Sequence, residues 1–280
     1  MKLIRKIKFY IKIGIIGCII TGCYGINDYF NKPDKATVAE TSQVEVVEVT
    51  EDNLIQSNGS YSEVSFNYDE IPLFDGTSAV YAVNNNIPYF NVSDYGYESF
   101  ESYSELDSLG RCGECIACIG YDLMPTEERG EIGEIKPSGW HTAKYSDVIE
   151  DNYLYNRCHL IGFQLTGENA NPNNLVTGTR FMNVDGMLSY ENIVAYYIYD
   201  NKDNHVLYRA TPIFINDELV CRGILLEAYS LEDNGSGVCF NVFCYNVQPG
   251  ISIDYTTGDN EYTGDFLEIA RSLGKYETVH

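Results

Sequence analysis

The sequence predicts an α+β fold built on a central antiparallel sheet flanked by helices, and three features carry that reading. Segments 205–215, 218–230 and 237–247 are rich in β-branched and aromatic residues, and turn residues separate them (Asn216-Asp217 and Asp233-Asn234-Gly235). Consecutive strands joined by such short turns pair antiparallel. Upstream, residues 187–199 place Met187, Leu188, Ile193, Val194, Tyr196 and Tyr197 at an irregular helical period. The 280-residue chain is 44% apolar and 13% aromatic, too hydrophobic for a disordered chain and ordinary for a packed one.

Taken in order, the chain opens on MKLIRKIKFYIK, with five basic residues and no acid, followed by an apolar run from Ile13 to Ile26. That run is short of the roughly 20 residues that span hydrocarbon and reads as a signal-peptide core. Ile20-Thr21-Gly22-Cys23 resembles a bacterial lipobox, in which the cysteine is lipidated and becomes the new N-terminus. The expected organisation is therefore a signal peptide at 1–22, an acidic polar tether at 23–65 and one domain at 66–280. The expected location is the outer side of a bacterial membrane as a lipoprotein, or secretion. From the domain's start, 71–90 (IPLFDGTSAVYAVNNNIPYF) reads as short strands broken by Asp-Gly and Asn-rich turns. Residues 99–109 are expected to form a helix ending at Gly110, 124–140 a Gly- and Pro-marked loop, and 265–273 a last helix. No internal repeat or heptad is present.

A net charge of −23 excludes a broad basic face of the kind that coats or slides along nucleic acid. Removal of the leader with its five cations would deepen it to −28. A phosphate-bearing partner would then need a metal ion or a few local cations. Seven cysteines lie beyond the leader (Cys112, Cys115, Cys118, Cys158, Cys221, Cys239 and Cys244), an odd number that cannot all pair internally. Cys112, Cys115 and Cys118 have zinc half-site spacing, but no second half-site follows, so buried thiols or a disulfide are the expectation.

Of four histidines, His159 keeps unusual company in Tyr155-Asn156-Arg157-Cys158-His159, which reads as a strand pointing alternate side chains into a cleft. The next residues, NANPNNLVTGTRFMNVDGMLSYEN, are dense in asparagine with a single glutamate, Glu191. Asn156-Arg157-Cys158-His159 resembles the D-R-G-H motif of the DNA/RNA non-specific endonucleases, a branch of the ββα-metal (His-Me finger) nucleases. In that family an N-P-x-N segment follows the histidine, then an asparagine nine residues on, then a glutamate eight beyond. Asn171-Pro172-Asn173-Asn174, Asn183 and Glu191 keep all of these intervals. The likeness runs from about Ile71 to about Asp254.

The resemblance implies a ββα-metal core and an exported, Mg²⁺-dependent, sugar-non-specific endonuclease acting on DNA, with RNA the further candidate and Mn²⁺ able to substitute. It implies His159 as the base that activates water, Asn183 as the direct metal ligand through its amide oxygen, and Glu191 as the holder of metal-bound waters. It also implies Asn174 as a group that holds the site together, with Arg157 and Arg129 as cations for the phosphate. The chemistry suits these residue types. Neutral imidazole accepts a proton near pH 7, a hard cation screens phosphate with few protein ligands, and the planar guanidinium fork fits phosphate oxygens. On an ideal helix Asn183 and Glu191 stand about 80° apart, close enough to share one cleft, although Gly186 between them could loosen that helix.

Three positions depart from the family pattern. Asn156 replaces the aspartate, keeping hydrogen-bonding capacity without the charge and predicting a less basic His159. Cys158 replaces glycine and is expected to add an oxidisable side chain beside the base. Ala195 stands where some relatives carry a second phosphate-facing arginine. His141 is expected on a surface loop, His205 at solvent and His280 at the terminus. Of 24 tyrosines, most are expected in the core or on the sheet surface, with some open to stack on unpaired bases. Two other readings fit the same sequence: a nuclease-fold surface protein that only binds, and a phosphodiesterase for a non-nucleic substrate.

Overall fold

The structure is a computed structural model that describes residues 66–264. The leader, the lipobox-like Cys23, the tether, the 265–273 helix and His280 lie outside the described residues. Among those residues no helix is long and apolar enough to cross a membrane.

The chain builds β1 (Val80–Ala82), β2 (Phe100–Tyr103), β3 (Cys115–Ile119), β4 (Tyr155–His159), α1 (Phe163–Thr166), β5 (Leu175–Thr179), a wide π-helical turn (Met182–Met187) and α2 (Leu188–Asp200). It continues through β6 (Val206–Ile213), β7 (Gly223–Ser230), β8 (Cys239–Tyr245), β9 (Ile251–Ile253) and β10 (Asn260–Tyr262). Six strands form an antiparallel sheet in the order β1-β8-β7-β6-β3-β2, and β4–β5 and β9–β10 form separate antiparallel pairs.

The sheet's centre explains the apolar runs near the C-terminal end. Nearly every residue of β7 and β8 is buried, so neither face needs polar residues. Ile224, Leu226 and Val242 pack with Val194, Ala195 and Ile198 of α2. Leu225, Phe243 and Tyr245 join Ile71 and Phe74 in a second cluster. One ion pair interrupts this apolar interior. Glu227 is fully buried, accepts from Arg209 Nε at 2.7 Å on the neighbouring strand and also accepts from the Tyr89 amide at 2.6 Å. A buried carboxylate without such partners would be strongly destabilising. The turns predicted at Asn216 and at Asn234-Gly235 do take left-handed backbone, with φ of 50°, 54° and 77°.

Two predicted elements differ. Residues 99–109 hold the edge strand β2 and a turn, Gly110 at φ 74° closing the turn rather than a helix. Residues 71–90 contribute one three-residue strand and a 3-10 turn at Asn84–Asn86. Cys115 and Cys118 share β3 at odd spacing and fall in different clusters, so the cysteine triplet cannot converge on one ion. Cys112, Cys115, Cys118, Cys158, Cys221 and Cys244 form no disulfide among the described residues, and there no three His, Cys, Asp or Glu side chains gather as a metal site.

Candidate active site

A cleft of about 720 Å³ opens where β4 meets the π-helical turn and the start of α2. Arg129, Asn156, Arg157, His159, Asn183 and Glu191 all line it. Residues spread over 63 positions of sequence therefore meet around one space.

Side-chain-to-backbone bonds hold the β4–β5 pair that carries the histidine. Asn174, fully buried, accepts from the Ile161 amide at 2.8 Å and donates to the Ile161 carbonyl at 2.9 Å. It thus clamps the segment just after His159 from behind and does not line the cleft. Asn246 anchors β5 to the large sheet: it accepts from the Thr179 amide (2.8 Å) and donates to the carbonyls of Thr177 (3.1 Å) and Cys221 (2.9 Å). The Thr179 hydroxyl accepts from the Met182 amide at 3.0 Å, which starts the helical segment bearing Asn183.

His159 is 6% exposed, and its two ring nitrogens have different partners. Nε2 lies 2.8 Å from the Asn169 carbonyl oxygen, which can only accept, so Nε2 carries the hydrogen. Nδ1 is then the bare nitrogen, and Nη2 of Arg129 sits 3.3 Å from it. Burial, reinforced by the Arg129 charge and partly opposed by the Asn169 bond, pulls the imidazole pKa down to about 4. The ring is neutral at pH 7, oriented by a backbone carbonyl, with its lone pair toward the cation.

Arg157 is less available than the sequence suggested. Its Nε donates to the Ile135 carbonyl at 2.5 Å, its Nη2 donates to the Gly133 carbonyl at 2.7 Å, and its guanidinium stacks 4.0 Å over the Trp140 ring. It fastens the 133–140 loop to the cleft wall while leaving its charge there. Arg129, on an exposed loop, has the freer guanidinium. Gly130 next to it lets that loop approach Asn169: a Cβ at 130 would come within 2.8 Å of the Asn169 amide nitrogen.

The opposite wall holds two oxygen donors. Asn183 donates through Nδ2 to Asn156 Oδ1 at 3.3 Å, which leaves the Asn183 amide oxygen for a ligand. Asn156 thus touches Asn183, and the expected effect on His159 basicity has no contact behind it. Glu191 accepts a long 3.4 Å bond from Gln164 Nε2, and burial pushes its pKa up to about 7, only partly opposed by Gln164 and Arg129. Gly162 admits this carboxylate, since a Cβ there would lie 2.7 Å from it. A half-buried carboxylate with so little compensation, beside an amide oxygen left open, suits a hard cation that keeps most of its water. Asn183 stands on the π-helical turn, so the 80° spacing of an ideal helix does not describe the pair, yet both residues line the cleft. Gly186 lies inside that widened π-helical turn and packs toward β8, where a Cβ would touch Cys244 at 3.5 Å.

Cys158, expected beside the base, is buried in the core against Gly178 and Met182, and burial raises its thiol pKa well above the usual range. Strand alternation accounts for this, because Cys158 belongs to the opposite row from Arg157 and His159. Ala195 is buried in the core. His141 is exposed, with Nε2 3.0 Å from the Thr257 carbonyl. His205, expected at solvent, is half-buried, with Nδ1 2.7 Å from Glu232 Oε1. Sequence reasoning did not single out Gly162, Gln164, Asn169 or Asn246. Only the clustering of small and amide residues around the motif hinted at them.

The chain resembles known proteins in sequence and fold. The sequence profile of the family described as DNA/RNA non-specific endonuclease matches residues 91–231. NucA from Streptococcus agalactiae, solved with a magnesium ion bound and with no metal bound, superposes with a TM-score of 0.58 at 28% identity, over 65% of this chain and 86% of that one. A deoxyribonuclease from Streptococcus dysgalactiae subsp. equisimilis is 30% identical over 112 residues, or 39% of this chain. The matched region spans only 33% of that relative's length. With half of its length matched by the family profile, and a ββα-metal α+β core, the chain belongs to the DNA/RNA non-specific endonuclease family.

Proposed function

We propose that the cleft hydrolyses phosphodiester bonds of DNA, with RNA a second substrate, cutting the backbone without reading sequence. One observation carries the reading: a neutral histidine with its Nε2–H committed to a carbonyl and its Nδ1 bare shares a cleft with an under-compensated carboxylate and a free amide oxygen.

In this reading His159 Nδ1 takes a proton from the attacking water while the Asn169 carbonyl keeps the ring in the required tautomer. As the oxygen of that water bonds to phosphorus, the bond to the 3′ oxygen breaks. Arg129 leaves Nδ1 to take up the non-bridging oxygens, and Arg157 adds fixed positive charge from the wall. Asn183 would hold a divalent cation directly and Glu191 through water, Mg²⁺ being the natural choice for such a set and Mn²⁺ a substitute; NucA was solved with magnesium. Such a cation, when bound, would supply charge to the phosphate and the departing oxygen. Asn174 keeps the His159 segment in register without touching substrate.

The charge of −23 opposes long-range attraction to DNA, but repulsion is screened within about 8 Å at physiological salt, and backbone contact needs only local cations. Modest affinity and little base preference follow. The basic-then-apolar leader and Cys23 support export with a lipid anchor. A Cys23→Ala variant that moves from the membrane fraction to the medium would support the anchor, and unchanged partitioning would count against it.

Plasmid digestion tests the enzymatic reading. His159→Ala should lose roughly 10²–10⁴-fold in rate while staying folded, and a chelator should stop the wild-type protein. Undiminished cleavage by His159→Ala overturns the assignment. A chromogenic diester and RNA run beside plasmid and single-stranded DNA define the substrate class.

A further inference from the structure

The cleft carries an aromatic feature that hydrolysis of a phosphodiester does not use. Tyr153 stands at its wall and is 42% exposed, while its neighbours Leu154 and Tyr155 are buried. The Nζ of Lys144 lies 4.7 Å from the centre of the Tyr153 ring, and the two residues face each other in an isolated antiparallel bridge. The platform is firmly built. Asn152 takes a left-handed turn (φ 67°), its amide donates to Ile149 O at 2.9 Å, the Tyr145 amide donates to Asn152 O at 2.8 Å, and the Leu154 amide donates to Ala143 O at 3.0 Å. Asp151, two residues before Tyr153, is paired with Arg180 at 2.5 Å. Of the other aromatic rings that line the cleft, Tyr155 is buried, Phe163 is half-buried and Trp140 is half-buried under the Arg157 guanidinium, so Tyr153 is the most exposed of the four.

An exposed ring at the lip of a phosphate-binding cleft, with a cation against it, offers one nucleotide both things it presents: a flat base and a phosphate. We infer that Tyr153 and Lys144 form a nucleobase-stacking subsite beside the scissile position, which makes the protein favour single-stranded or locally unwound nucleic acid over duplex. The physical reason is competition for faces. In a duplex each base is stacked above and below, so Tyr153 gains a base only after one is unstacked, whereas a single strand offers bases freely. The inference rests on the nucleic-acid reading of the cleft and adds a preference for strand state.

The test measures binding with cleavage removed. His159→Ala protein in chelator is titrated with fluorescein-labelled oligothymidylate and with a duplex of the same length, with and without Tyr153→Ala. Tyr153→Ala should weaken single-strand binding about tenfold and narrow the preference over duplex by a similar factor. Tyr153→Trp should restore it. Lys144→Ala should weaken both ligands and lower the salt slope by about one. Matched thermal melts exclude misfolding. Equal weakening of both ligands by Tyr153→Ala, or none, overturns the subsite. The parent reading fails differently: Tyr153-dependent single-strand binding in a wild-type protein that cleaves nothing keeps the subsite and removes the nuclease. Cleavage with Tyr153-independent binding does the reverse.

Discussion

β7 and β8 of the large sheet and β4–β5 of the small pair are both almost wholly interior, yet they are held there by different means. The large sheet spreads its stabilisation over many apolar contacts, with Ile224, Leu226 and Val242 on one face and Leu225, Phe243 and Tyr245 on the other. The small pair adds to its own core residues, Cys158 and Val176, a few amide and hydroxyl supports: Asn174 on Ile161, Asn246 across Thr177, Thr179 and Cys221, and Thr179 on Met182. Apolar contacts are many, weak and replaceable, whereas a buried amide that loses its partners leaves donors and acceptors with no water to satisfy them. The candidate site sits on the region with few, exacting supports, which hold the segments carrying His159 and Asn183.

The sharpest way to break this contrast is to remove Asn246. Asn246→Ala leaves the Thr179 amide and two carbonyls unpaired and should cost about 3 kcal/mol, with loss of activity at temperatures where the large sheet still gives its circular dichroism. Ile224→Val in the large sheet should cost only about 1 kcal/mol and spare turnover. Equal costs in denaturant titrations would show that the two regions are not differently built.

His159 gives the next effect through pH. Its folded pKa of about 4 lies below the unfolded value of about 6.5, so as pH falls through this window the unfolded chain takes up a proton that the folded chain refuses. Stability contributed by the neutral buried ring is present above about pH 6.5 and is lost as pH falls toward 4, to a limit of about 3 kcal/mol. His159→Gln should flatten that part of the stability profile. An unaltered profile would mean the ring is more solvated than its 6% exposure indicates.

How much of this was legible beforehand follows the same division. The apolar runs of β6–β8 announce themselves, because burial on both faces writes hydrophobicity into every position. The edge strand β2 does not: Glu101 and Ser102 face solvent, and nothing in that pattern separates a charged edge strand from a surface helix. The spacing of His159, Asn183 and Glu191 made the site visible, but not what supports it. Cys158 could have been placed in the core by counting alternation from His159. The roles of Gly162 and Asn246 depend on contacts 29 and 67 residues away, which no local pattern encodes.

Gly162 tests that hidden layer. Gly162→Ala puts a methyl 2.7 Å from the Glu191 carboxylate and forces it aside, so cation affinity should fall about 10-fold to 100-fold and activity with it. Global stability should change little by comparison. A variant that binds Mn²⁺ as the wild type does, read by calorimetry, would show that Glu191 tolerates displacement and has no part in holding the ion.

The smallest effect concerns Asn156, whose oxygen accepts from Asn183 Nδ2 at 3.3 Å. An amide can turn over and offer its nitrogen instead, so this contact fixes the Asn183 carboxamide only while Asn156 keeps its present orientation. A carboxylate accepts through either oxygen and cannot donate when ionised, so Asn156→Asp holds Asn183 one way round and brings a negative charge next to the ligand oxygen. Cation affinity should rise about threefold to tenfold, read by Mn²⁺ calorimetry. Asn156→Ala should lower it, because Asn183 then loses the partner that aims its oxygen. If Asn156→Asp binds the cation more weakly, the hydrogen bond runs the other way, with Asn156 donating to the Asn183 oxygen. That oxygen would then be only partly free for an ion, and the asparagine pair would be one more of the buried-amide supports on which the small region depends.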